Sequence, residues 1–225
     1  MERIPLNPYD FFGYLASGLL VIVTMDVVLG FPSLLGKDFK VIESAVLVLV
    51  IYIVGQIIAT PAKALLEDFF VARILRRPNV VLFEEKKPKI RGLLFPGYYV
   101  SLPTQARGKI LAKAKSEGVE GTGEDLFLEV RYSPSLLHDE KLINRLDNFL
   151  NQYAFHRNLS FASLLVGAAL LVKVQVSSLN ESELIKYAVA ALVAGGLLFY
   201  RYLKFFRQYS YELFNTYGRS SSWRL

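Results

Sequence analysis

Two ionisable side chains stand inside otherwise apolar stretches: Asp26 within residues 11–30 and Lys173 within residues 159–176. A charge at membrane depth is costly, and such groups serve pairing, ion passage, gating or proton coupling. Asp26 lies 15 residues beyond Phe11, and Lys173 lies 14 beyond Leu159. If both stretches are helices entered from the same side, each charge sits about 21–22 Å along its axis. The depths agree within one turn, so the pattern predicts an interhelical ion pair roughly 8 Å below the far surface of the hydrocarbon core. The competing role is snorkelling to that surface, which is easier for lysine than for the shorter aspartate. Gln56, beside Gly55, falls in the inner half of residues 44–62, where an amide calls for a partner across a helix interface or a wet cavity. At the entry to the third apolar stretch stands Phe155-His156-Arg157-Asn158. Here Arg157 is expected to meet a lipid headgroup and Asn158 to cap or bridge. Arg201 marks the corresponding boundary of the fourth stretch.

Conventional catalytic chemistry has little to work with. There is no cysteine, which removes thiolate nucleophiles, thiolate metal sites and disulfides together. The two histidines, His138 and His156, argue against a multi-histidine metal centre. No Gly-rich phosphate loop, HExxH helix or GxSxG elbow occurs. The adjacent acids Glu67-Asp68 and Glu84-Glu85 read as solvated faces. No catalytic residue, metal ligand or cofactor is therefore expected, although an integral lipid enzyme with an unfamiliar site remains an open alternative.

The elements that would position Asp26, Gln56 and Lys173 are four apolar blocks. Residues 44–62 are nineteen positions without one Asp, Glu, Lys or Arg, nearly enough to cross the ~30 Å hydrocarbon core. Residues 11–30, 159–176 and 185–205 are the other three. The chain is too short to bury four such helices inside protein, so lipid is the expected surrounding. Residues 1–10 carry a single Arg and no small-x-small cleavage site follows the first block, which reads as an uncleaved anchor. Small residues recur four apart at Gly13/Ser17, Gly55/Ala59, Ser163/Gly167 and Ala191/Gly195, as helices that pack closely in lipid require.

Charge distribution gives orientation. Sixteen of the 26 Lys and Arg fall in residues 62–158 and five in the tail from Arg201, whereas the hairpin loops at 31–43 and 177–186 carry at most two each. By the positive-inside rule the middle segment and both termini face the cytoplasm. The net charge of +6 is thus mainly a topology signal. The middle segment also holds 12 acidic residues, and a nucleic-acid partner is not indicated.

The expected fold is an all-α membrane protein. A hairpin at 1–61 is followed by a mainly helical cytoplasmic domain with stalks at 62–158, a second hairpin at 159–205 and an aromatic, basic tail at 206–225. Pro61 permits a kink, after which helical spacing continues to Arg77-Pro78. Thr104 is placed to cap a helix over 105–117 that Gly118 ends. Residues 79–85 and 126–132 suit either a short strand or a helical turn. Leu142, Ile143, Leu146, Phe149, Leu150 and Tyr153 form the apolar stripe of a helix over 136–158 leading into the third span. The tail suits an interfacial anchor continuing into a helix on the cytoplasmic domain; partner docking is the alternative.

The segments NPYDFFGYLASG at 7–18, IVGQIIATPAKALLEDF at 53–69 and NFLNQYAFHRNLSFASLL at 148–165 resemble those of uncharacterised prokaryotic four-span membrane proteins. Gly55-Gln56 and the aromatic-x-Arg-Asn junction at 155–158 carry the likeness, which implies four-span topology; the expected location is the plasma or inner membrane. Functionally, the leading expectation is a non-enzymatic homo-oligomer coupling a cytoplasmic domain, which senses a protein or small-molecule ligand, to the bundle, with conductance or permeabilisation as output. A membrane-anchored adaptor is the alternative.

Overall fold

The computed structural model describes residues 8–30, 39–84, 88–119, 121–133, 140–176 and 181–220. The hairpin-loop residues 31–38 and 177–180, the first residues of the helix expected from 136, and the tail residues 221–225 lie outside the described residues. Every regular element among the described residues is helical. Four long ones dominate: α1 (Pro8–Leu29), α2 (Val41–Ala62), α7 (Glu140–Val176) and α8 (Glu181–Arg219). Each contains a window long and apolar enough to cross a bilayer, with mean hydropathy 2.0, 2.4, 1.9 and 1.5. These four helices fit a multi-pass membrane protein. The Val- and Ile-rich run of α2 would favour a strand in water. In lipid the backbone must satisfy its own polar groups, and a helix does so within one segment.

Between α2 and α7 lie α3 (Pro78–Val81), α4 (Lys89–Leu94), α5 (Thr104–Ser116) and α6 (Glu124–Arg131). Of the two regions left open between strand and helix, residues 79–81 and 126–131 are helical, and the other described residues of these regions form turns or irregular chain. Thr104 is the first residue of α5 rather than its cap; Pro103 holds the cap position, with no side-chain cap bond. Gly118 follows α5 with φ +77°, the left-handed geometry that lets a helix end cheaply.

Beyond Pro61 the helix continues, but as a π-helix, Lys63–Leu75, bonded i→i+5. Proline lacks an N–H and its ring crowds the preceding turn, so the backbone downstream re-registers. Buried Ala62 and Val71 then lie nine residues apart on wider turns than α-helical spacing supplies. The segment ends at Arg76, with φ +69°.

The chain divides into two compact units. Unit 1 comprises Met1–Phe69 and Ala154–Tyr202; unit 2 comprises Phe70–Tyr153 and Leu203–Leu225. In unit 1, α1 and α2 cross where Gly18 meets Ile51 and Gly55 meets Tyr14. A Cβ added at either glycine would lie 1.9 Å from a backbone oxygen. In unit 2 a continuous apolar core joins Leu82, Ile110, Leu126, Leu142, Leu213 and Phe214. The Phe214 ring is fully buried and meets Phe83 edge-on at 4.9 Å between centroids. Tyr153 stacks on Phe206 at 5.0 Å. The Lys113 ammonium closes the end of α8 by donating to the carbonyls of Tyr217 and Ser220, both at 3.0 Å.

Candidate functional site

The polar interior of unit 1 has two foci. At the first, Asp26 is buried in the last turns of α1 (7% exposed), a little above buried Ser17 and Thr24. The Ser17 and Thr24 hydroxyls donate back to their own helix, to Gly13 O at 2.8 Å and Leu20 O at 2.7 Å, and so remove their polarity from the packed face. Lys173 of α7 donates from Nζ to the Val28 carbonyl at 3.0 Å. That oxygen is among the last carbonyls of α1, which have no partner within the helix and carry the negative end of its dipole. The lysine thus caps α1 within a turn of Asp26, and the structure brings the two elements bearing these residues together.

The second focus joins the π-helix to α7. The Arg157 guanidinium is ion-paired with Glu67, and their side chains are only 11% and 13% exposed. Its Nε and Nη2 donate to the Asn158 side-chain oxygen at 3.3 and 3.2 Å. Asn158 is itself buried. Glu67 was read from sequence as half of a solvated acidic pair. The structure corrects this: Asp68 is exposed, but Glu67 faces Arg157. The wider turns after Pro61 decide which of two adjacent acids points inward, and a 3.6-residue period misplaces them. Burial of such a pair adds little stability over an apolar equivalent, but breaking one half leaves an uncompensated charge.

The small residues divide by partner. Gly13 faces Phe155 of α7, where an added Cβ would lie 3.1 Å from the ring. Gly167 sits against Leu192, and Gly195 against Leu164, in contacts a Cβ would close to 2.6 and 2.8 Å. Ser160 Oγ donates to Gly195 O at 2.8 Å and stitches α7 to α8. Ser163 is buried, while Ala59 and Ala191 are half-buried. Gly18, which makes the tightest crossing together with Gly55, was not singled out from sequence; the residues four positions away, Tyr14 and Ile22, are large, so the four-residue spacing of small residues gives no signal for it.

Gln56 is exposed on α2 and donates to Tyr52 OH at 3.0 Å. Arg201 is exposed on α8. Among the described residues no group of three or more His, Asp or Glu side chains is placed to hold a metal ion.

A separate cluster in unit 2 secures the end of the π-helix. The Tyr99 hydroxyl donates to Leu75 O at 2.8 Å, the Tyr98 hydroxyl to Arg76 O at 2.6 Å, and the Arg91 guanidinium to Ile74 O. Burial pushes the pKa of both tyrosines up from the ordinary value of 10.0. Compared with protein-family models, with curated proteins and with solved structures, the chain matches none.

Proposed function

We propose that the chain is an oligomeric multi-pass membrane protein in which unit 2 is cytoplasmic, binds a protein or small-molecule ligand, and passes its state to the four-helix bundle. Both termini lie in the cytoplasm on this reading, in keeping with the distribution of Lys and Arg. One observation carries the proposal: α7 and α8 are shared between the units. With 37 and 39 residues they are about 55 and 58 Å long, against ~30 Å of hydrocarbon. Their extensions supply Leu142, Leu146, Tyr209, Leu213 and Phe214 to the core of unit 2. A rearrangement of that core acts on helices whose other halves are membrane spans. Ion passage is the output that the buried Asp26 and the outward-facing Gln56 support best.

The test bridges the extensions. Arg145 Nη2 and Glu212 Oε1 lie 2.8 Å apart, on α7 and α8. A short bis-maleimide across Arg145→Cys/Glu212→Cys fixes these two helices together in unit 2. Planar-bilayer currents of the full chain should differ between bridged and unbridged protein. Equal, measurable currents would refute the relay, and no current from either form, with one chain per detergent particle, would refute the oligomeric channel. An adaptor role draws support from Leu128 and Tyr132, exposed at 49% and 67% on and beside α6, and would show as ligand-independent recruitment without current.

A further inference from the structure

The short helix α4 carries three strongly exposed aliphatic side chains: Ile90, Leu93 and Leu94 are 77%, 82% and 64% exposed. Their i, i+3, i+4 spacing places them on one face. Other exposed hydrophobic groups of unit 2 are more sheltered or carry a polar tip: Val100 is 43% exposed, Leu128 49% and Tyr132 67%. Exposure near that of α4 recurs at Val41, Ile42 and Val176, at 87%, 79% and 81%, all at the ends of the apolar spans. By this measure α4 resembles a lipid-facing surface.

Charge and anchoring point the same way. Lys89 is exposed at the start of α4, and two further lysines precede it in the sequence at 86 and 87. Arg91, Tyr98 and Tyr99 tie the segment to the last carbonyls of the π-helix, which continues directly from the α2 span. A basic, apolar face of this kind suits the boundary between anionic headgroups and acyl chains: aliphatic groups enter the chains and lysines meet the phosphates. A cytoplasmic protein groove would satisfy the aliphatic face, but gives no reason for the exposed Lys89 at its start or for the lysines at 86 and 87 in the sequence.

We propose that α4 docks on an anionic lipid surface, with Ile90, Leu93 and Leu94 in the acyl boundary and Lys89 at the headgroups. The proposal rests on the chain lying in a bilayer, but not on relay or conductance. Because the chain has no cysteine, Leu93→Cys gives one reporter site, on an exposed position that does not disturb packing. Bimane on that cysteine is read in the full chain, reconstituted in phosphatidylcholine with or without phosphatidylglycerol. Quenching by brominated lipid and by aqueous iodide is compared, with Ser116→Cys as the water-exposed reference and Leu49→Cys as the span reference.

The expected result is quenching by brominated lipid and protection from iodide at 93, stronger with phosphatidylglycerol and weakened by Lys89→Glu, each charge shifting the docking equilibrium constant roughly fivefold. Iodide quenching at 93 with no effect of brominated lipid overturns the proposal while Leu49→Cys is still quenched by lipid. Protection from iodide that grows with protein density, without lipid quenching, assigns the patch to a second copy and also overturns it. Equal lipid quenching in both vesicle types, unaffected by Lys89→Glu, overturns the anionic selectivity. Failure of lipid quenching at Leu49→Cys strikes the membrane reading itself.

Discussion

Units 1 and 2 are both helical, yet they cohere by different means. In unit 1 no apolar window is more than a third buried, and in α2 only 6% of the window is. Among the described residues its helices touch through Gly18, Gly55, Gly167 and Gly195, a serine hydroxyl and the buried Arg157–Glu67 pair. Unit 2 instead buries Phe214, Tyr217, Leu126 and Leu213 almost completely. With unit 1 in lipid and unit 2 in water, as proposed, the contrast follows from solvent. Where the surroundings are as apolar as leucine, burying leucine gains nothing, and close backbone approach and polar pairing hold helices together. In water each buried large side chain gains about 1.5–3 kcal/mol, and an aromatic core forms.

The substitution with the largest expected effect is Phe214→Ala. A cavity in the unit 2 core should cost about 4 kcal/mol, seen as a lower thermal midpoint by circular dichroism in detergent, while labels on α2 keep their lipid protection. An equal loss of α2 protection would show that the two units do not cohere separately. Next comes Arg157→Ala, which strands Glu67 and should cost about 3 kcal/mol in unit 1. Arg157→Met with Glu67→Gln should restore most of that loss; a double variant no better than the single one would mean the guanidinium contributes by packing alone. Gly18→Ala follows at about 2–3 kcal/mol, because its Cβ meets the Ile51 carbonyl and the helices must separate. Unchanged stability would remove close approach as the basis of unit 1.

The smallest effect, about 1 kcal/mol, is expected for Tyr99→Phe, which leaves the Leu75 carbonyl without its donor. Tyr98 and Tyr99 also set a pH dependence. Their folded pKa values are raised, so their contribution is complete below the unfolded value near 10 and is lost as pH rises through the folded values. Stability of unit 2 should therefore begin to fall above about pH 10. The fall should be shallower in Tyr98→Phe/Tyr99→Phe, when followed by circular dichroism together with tyrosinate absorbance.

The four long helices were legible in the sequence because a span is encoded by length and lack of charge, both local properties. Nineteen uncharged positions from Ser44 suffice whatever the neighbours are. Partnership between helices is not local, and there the sequence was less informative. The four-residue spacing marks Gly13/Ser17 but passes over Gly18, which has Tyr14 and Ile22 four residues away, and only the crossing of α1 with α2 selects Gly18. Glu67 and Asp68 are equally acidic, and the wider turn after Pro61 decides which one meets Arg157. Thr104 had the right chemistry for a cap but stands one residue inside the helix. In the tail, the aromatic density of residues 199–217 suits an interface and a core equally well. The structure places Tyr209, Phe214 and Tyr217 in a core.

The claim on which the rest depends is that α2 lies in lipid along its whole exposed face. Val46, Leu49, Ile53 and Ile57 are 55%, 57%, 45% and 62% exposed, so the protein itself does not shield them. Single cysteines at these four positions, in bilayer vesicles made leaky so that solute reaches both faces, can be challenged with a charged maleimide that does not enter hydrocarbon. All four should resist modification until detergent or denaturant is added. Rapid labelling at Leu49→Cys and Ile53→Cys in intact bilayers would contradict a membrane-spanning α2, and with it the four-span fold.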